Sequence, residues 1–493
     1  MKNIFKKMNE KVDFHFYASK DKQLKKTMTV KDFLALGLGT ILSTSIFTLP
    51  GLVAAKFTGP AVVISFLLAA VAAGLVAMNY AEMASVLPFA GSAYSWISVL
   101  FGKFWGWIVG WALLAEYLIA VAFVAAGLSA NVQGLISPLG WKIPNAFAFP
   151  LGTNGGVIDI IAVVVVALVA FILLRGDAET TKVANVLVVL KLLAIITFVV
   201  VGATAIKAQN YVPFFPKPHA LSDGTQFVGG WSGIYAGIST IFLSYIGFDS
   251  IAANSAEAKD PQKTMPRGII GSLLIGTVFF VAVSLVMVGM FKYSAYLGNA
   301  EPVGWALRQQ GHVIIASVVQ AIAVAGMLVA LIGMMMAGSR LIYSFGRDKM
   351  LPKSMGKLNK KKIPQNALWI ITAVGVVMGA VFPFTFLAQL ISAGTLIAFM
   401  AVSLAMYPLR KREGKNLPKA AYKQPFFPAF HSLYLYHLLY RFHFFQQQLS
   451  YLPCGKHHIM HFYLHLIKSQ HFQAYLMRKD HMYSIHYLIS SNM

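Results

Sequence analysis

Apolar runs of about twenty residues recur along the first 408 positions, and that is the length a helix needs to cross about 30 Å of hydrocarbon. They lie near 32–55, 60–85, 96–130, 157–174, 184–205, 231–253, 268–291, 311–343, 366–384 and 387–408. Lipid offers no partner to an open backbone N–H or C=O, so each run predicts an α-helix that satisfies its own hydrogen bonds. Composition agrees: 57% of the 493 residues are hydrophobic, 12% are charged and the mean hydropathy is +0.66, more apolar than a soluble core of this size needs. The fold class is an all-α membrane protein that crosses the bilayer many times.

A formal charge of +24 invites a nucleic-acid reading. Nucleic-acid binders gather Lys and Arg on a folded polar surface, whereas here they fall between the apolar runs, so no nucleic-acid partner is expected. The cations cluster before span one (Lys20, Lys22, Lys25 and Lys26 among them), after span six (Lys259, Lys263, Arg267), after span eight (Arg347 to Lys362) and after span ten (Arg410, Lys411, Arg412). With one crossing per run these clusters share one side, and the excess of positive charge marks that side, and the N-terminus with it, as cytoplasmic. The expected layout is a cytoplasmic N-terminal segment at 1–31, a ten-helix core at 32–408 and a cytoplasmic basic linker at 409–428. No small-residue cleavage site precedes the first run, so span one is expected to stay in a multi-pass protein of the cell membrane. The single cysteine, Cys454, allows no internal disulfide framework, and the sequence holds no GxxxxGK loop for direct ATP coupling.

Two spans carry breaks that a lipid-facing helix avoids. Span one holds Gly37 and Gly39, then Ser43, Thr44 and Ser45, then Pro50 and Gly51; span six holds Ser244, Tyr245, Gly247 and Asp249. They stand five spans apart, as corresponding members of a five-plus-five inverted repeat do. Where such a helix unwinds, one half offers free N–H groups and the other free carbonyls. A zwitterion fits that pair: its carboxylate on the amides of Ser43, Thr44 and Ser45, its ammonium on carbonyls near Ile41 and around Phe242, Ser244 and Ile246. Small residues also serve close helix packing, which is the better reading for either span alone. The matched pair favours a site.

Lys191 sits deep inside span five, where a permanent ammonium is costly. A lysine that binds and releases a proton during the transport cycle relieves that cost and couples the cycle to a proton gradient. Its central position argues against snorkelling, and a permanent ion pair is the remaining alternative. Glu116 in span three is the other ionisable group with apolar flanks, a partner for Lys191 or for a backbone group, and either structural or proton-carrying. Asp249 reads as a packing or gating group towards the cytoplasmic end of span six. Phe248 or Phe242 could gate a bound side chain, although an aromatic in a span more often simply packs. A membrane enzyme would need converging acids, bases or nucleophiles, yet His219 and His312 fall near outer joints, so no enzyme is predicted.

Three ordered motifs carry a family resemblance. Gly37-Leu38-Gly39-Thr40-Ile41-Leu42-Ser43-Thr44-Ser45-Ile46-Phe47 resembles the glycine-rich first-helix motif of amino-acid permeases of the amino acid–polyamine–organocation superfamily, and the chain looks closest to bacterial relatives of cationic amino acid transporters. Phe242 to Ile269 resembles the family's sixth-helix motif, and Gly338-Ser339-Arg340 through Arg347-Asp348 and Leu351-Pro352 resembles the segment after helix eight. The resemblance, over roughly residues 29–426, implies a leucine-transporter-like bundle with substrate held by helices one and six. It also matches Lys191 to the helix-five lysine associated with proton coupling. Ser43 and Ser45 stand where small glycines are usual, and Ala256-Glu257 replaces a familiar Glu-Glu pair, which predicts a missing cytoplasmic contact.

The function read from these residues is a secondary active transporter of amino acids driven by proton symport, with an exchanger or a non-transporting amino-acid sensor as alternatives. The expected partners are an amino-acid substrate and the lipid bilayer, with the proton as coupling ion and no cofactor or metal. After Pro428 the family pattern of two further helices gives way to a His- and aromatic-rich tail at 429–493, with ten of the thirteen histidines and Cys454, as a shifted reading frame would produce. His457, His461 and His465 share one helical face beside Cys454, yet the tail has only Asp480 as an acidic partner to orient them, so the zinc-like spacing is read as accidental.

Overall fold

In the computed structural model, which describes residues 10–136, 140–222, 226–299, 301–425 and 427, the apolar runs are helices. Span one is two short helices, α2 (Val30–Ile41) and α3 (Ser45–Val53), preceded by a small helix α1 (Phe14–Lys20). Next come α4 (Val62–Val86), α5 (Ala93–Leu100), α6 (Lys103–Ile136), α7 (Ile160–Arg175) and α8 (Asp177–Ala203). Span six is again divided, into α9 (Gly230–Ile241) and α10 (Phe248–Ala253). The remainder is α11 (Pro261–Met290), α12 (Pro302–Gln309), α13 (Val313–Arg347), α14 (Gln365–Val381) and α15 (Phe384–Arg412). Between α8 and α9, a two-residue strand β1 (His219–Ala220) pairs antiparallel with β2 (Gln226–Phe227), His219 opposite Phe227. The tail, with Cys454, His457, His461 and His465, lies outside the described residues.

Among the described residues, α6, α11, α13, the Lys182–Ala203 part of α8 and the stretch Ser45–Val86 are long and apolar enough to cross a bilayer. The third run does not begin where hydropathy places it. Instead of one helix from 96, the chain forms α5, turns at Gly102 with φ of 125°, and starts α6 at Lys103. Glycine adopts that left-handed conformation without a Cβ clash, so a continuous apolar pattern conceals a reversal.

Helix faces explain the packing. On α8, Val186, Val189, Leu193, Ile196 and Val200 are exposed, whereas Val188, Lys191, Ile195 and Phe198 are buried. The apolar outer stripe suits lipid, and it turns Lys191 into the protein. In the interior, α4 packs along α11, α6 along α13 and α7 along α14, while α2 is held between α11, α13 and α8. Asp32 fixes the start of α2: its carboxylate accepts the Thr29 N–H at 2.8 Å and the Thr29 hydroxyl at 2.7 Å, and it receives Asn185 of α8 at 2.9 Å.

Candidate functional site

The break in span one is Leu42-Ser43-Thr44, between the last turn of α2 and the first of α3. A helix end leaves its last carbonyls without intrahelical partners. Here Lys191 supplies two of them, its Nζ donating to the Gly39 carbonyl at 3.1 Å and the Leu42 carbonyl at 3.3 Å. A cation at a helix C-terminus also complements the helix dipole. Ser45 spans the break from the other side, its hydroxyl donating to the Ile41 carbonyl at 3.2 Å. The Ser43 and Thr44 hydroxyls are buried and have no hydrogen-bond partner among the described residues. The two serines therefore differ, one tying the break together and one presenting a hydroxyl that bonds nothing among the described residues.

Span six breaks beside it. After α9 the chain tightens into a single turn, Phe242–Tyr245, and then passes through Gly247 with φ of 129° before α10 begins. A side chain at 247 would meet Thr40 Cβ at 2.8 Å and Oγ1 at 2.9 Å, so the glycine lets the two breaks touch. Thr40 also donates to the Gly247 carbonyl at 3.2 Å. Ile246 and Ser244 are buried here, and the Ser244 hydroxyl, like those of Ser43 and Thr44, is unpaired among the described residues. Burying a hydroxyl without a partner costs about 1–3 kcal/mol, and three such hydroxyls lie in the two breaks.

Of the two partners open to Glu116, Lys191 is not the one it meets. Lys191 lies on the carbonyls of span one, whereas Glu116 on α6, fully buried, faces Asp249 and the Thr395 hydroxyl. Asp249, also fully buried, accepts the Gly247 N–H at 3.0 Å, so it serves the break itself rather than only the end of the span. Phe248 stacks on Phe399 with ring centroids 5.2 Å apart and meets Tyr80 edge-on at 5.5 Å; Phe242 approaches Phe399 at 6.2 Å. These aromatics pack α10 against α4 and α15. A cavity of about 340 Å³ runs along the second half of span one, from Thr44 past Thr48 and Leu52 to Lys56, with Asn131 and Asn299 on its far wall.

Residues 29–450 match the family model for amino acid permeases. The chain belongs to that family, within the amino acid–polyamine–organocation superfamily. The match continues past 428, where the composition changes. Among the permease's relatives, it is 61% identical to the branched-chain amino acid permease BcaP of Lactococcus lactis subsp. cremoris, over 86% of this chain and 90% of the relative. It is 36% identical to the methylthioribose transporter of Bacillus subtilis (83% and 86% covered) and 31% identical to the vacuolar cationic amino acid transporter 4 of Arabidopsis thaliana (82% and 66% covered). Family and relatives are transporters, and the permease is not an enzyme.

Sequence reasoning missed a second polar assembly, at the end of the bundle where α2 begins. Tyr17 of α1 is 1% exposed and donates to Asp348 at 2.8 Å; Tyr94 donates to the same carboxylate oxygen at 2.7 Å. Arg347 bonds Asp21 at 2.7 Å and lies 4.2 Å from the Tyr17 ring centroid, and the second Asp21 oxygen accepts the Ala90 N–H at 3.0 Å. Burial raises the carboxyl pKa of Asp21, with the Arg347 guanidinium opposing that shift. Nearby, Glu257, the acid retained in Ala256-Glu257, pairs with Arg340 of α13, both buried. Met28 continues the seal, its N–H donating to the Glu257 carbonyl at 3.0 Å. The one signal in the sequence was Asp13, whose side chain accepts the His15 N–H at the start of α1.

Proposed function

We propose that the permease takes up neutral, apolar amino acids across the cell membrane by proton symport, with its N-terminus in the cytoplasm and its spans arranged as a leucine-transporter-like five-plus-five inverted repeat. The observation that carries this reading is the junction of two broken spans with three buried hydroxyls unpaired among the described residues, those of Ser43, Thr44 and Ser244. The substrate carboxylate is assigned to the amides and hydroxyls of Ser43 and Thr44, with Ser45 holding the shape of the break. The ammonium is assigned to the remaining acceptors near Ile41 and to the turn Phe242–Ser244–Ile246. Phe242 and Phe248 limit the space for the side chain, and Glu116 and Asp249 join α6 to the hinge at α10 as structural or gating groups.

Packing supports the repeat, because spans two, three and four each lie along the span five positions later: α4 on α11, α6 on α13, α7 on α14. Neutral cargo is supported by the cavity wall, whose one charged residue is Lys56. A cationic side chain would meet repulsion there and no carboxylate. The 61% identical branched-chain permease points to the same substrate class. Proton coupling rests on Lys191, whose ammonium holds the end of α2; losing its proton would remove the charge that strengthens its bonds to the Gly39 and Leu42 carbonyls and loosen the half-helix.

Uptake of labelled isoleucine into proteoliposomes, with and without an inward proton gradient, tests this. Accumulation above the external concentration only with the gradient is expected. Equilibration alone, unchanged by the gradient, would reduce the permease to an exchanger or facilitator, and isoleucine binding without uptake would make it a sensor.

A further inference from the structure

Lys191 reaches span one along a third helix, and what that helix offers is the absence of a side chain. Gly326 lies inside α13, where glycine is otherwise unfavourable and therefore invites a packing reason. A Cβ at 326 would lie 2.9 Å from Lys191 Cβ and 3.1 Å from its Cγ, and nearer still to Cε. The lysine stem thus runs against the bare α-carbon of Gly326. It has little room to move aside, because α2, α8 and α13 converge there: a Cβ at Gly39 would sit 2.9 Å from Val329 Cβ and 3.3 Å from Val188 Cγ2. Of the groups facing the ammonium, α2 contributes the Gly39 and Leu42 carbonyls, and among the described residues no titratable side chain of an element packed against α8 reaches it.

We propose that Gly326 is a positioning residue for proton coupling, a slot on α13 that aims the Lys191 amino group at the carbonyls released where span one unwinds. The inference rests on the coupling role assigned to Lys191. Any side chain at 326 pushes the stem out of the slot and takes the ammonium off the helix end.

The test uses the full-length protein in proteoliposomes with labelled isoleucine, comparing Gly326→Ala, Lys191→Ala and the double variant. Gly326→Ala is expected to keep counterflow exchange, to lose gradient-driven accumulation, and to show an exchange rate that no longer follows pH as the wild type's does. The double variant, in which truncation at 191 removes the Cγ and Cε contacts and leaves the one at Cβ, is expected to match Lys191→Ala alone in coupling, since Gly326 acts through the lysine. Wild-type accumulation by Gly326→Ala, beside an uncoupled Lys191→Ala, overturns the slot and leaves the coupling reading standing. Accumulation retained by Lys191→Ala overturns both. A double variant worse in counterflow than Lys191→Ala would make Gly326 a structural residue only and also overturn the proposal.

Discussion

The side chains that define the site are small, and their value lies in what they leave unbonded. Thr44→Val removes a buried hydroxyl that bonds nothing among the described residues, so the empty protein loses no contact and should melt unchanged or slightly higher. If the hydroxyl meets substrate, binding weakens by about 1 kcal/mol, roughly five- to tenfold in Kd. Titration of isoleucine beside a thermal melt reads both, and a lowered melting temperature with unaltered affinity would make Thr44 a structural residue. Ser45→Ala should do the reverse and lower stability, because its hydroxyl bridges the break to Ile41. Lys191 was legible in the sequence because a charge amid apolar letters has few explanations in lipid. Its partner was not, since the acceptors are backbone carbonyls that exist only after the helix has ended. Gly326 was silent for a similar reason: a glycine in a span looks the same whether it admits a neighbouring helix or a lysine stem.

At the scale of elements, the pairing of breaks was readable from Ser, Thr and Gly placed where lipid-facing helices avoid them, and the touching of α2 with the turn before α10 is what the letters could not give. Hydropathy likewise ran through Gly102, because a turn that a glycine makes between apolar flanks leaves the running average unchanged. The element that sequence reasoning passed over was α1. A Lys-rich segment reads as solvated, yet one aromatic and one acid, Tyr17 and Asp21, are drawn into the end of the bundle by Arg347 and Asp348. Hydrogen bonds to charged groups contribute about 1.5–3 kcal/mol each. Asp21→Asn should therefore loosen α1 by about that much, seen as faster amide exchange across residues 10–28 and little change in α11. Equal exchange in both proteins would show that the Arg347–Asp21 pair does not hold the segment. Arg340→Ala strands Glu257 in the interior and should cost about 3–5 kcal/mol, enough to reduce the yield of folded protein in a detergent-stability assay.

For the whole molecule, the two ends of the bundle are unlike. The cavity leads from Thr44 towards Lys56, while the other end is closed by Tyr17, Asp21, Tyr94, Arg340, Arg347 and their partners. In the proposed cycle that closure must break for cargo to leave at this end, so the same bonds would set part of the barrier to turnover. The proposed transport depends on one small zwitterion occupying the junction of the two broken spans. The measurement that reaches this most directly is a cryo-electron microscopy map of the full-length protein saturated with isoleucine, set beside a map without it. The predicted result is added density at that junction, its carboxylate end at the amides of Ser43 to Ser45 and its ammonium end at the turn Phe242–Ile246. Ligand density elsewhere, with the junction unchanged between the two maps, would contradict it.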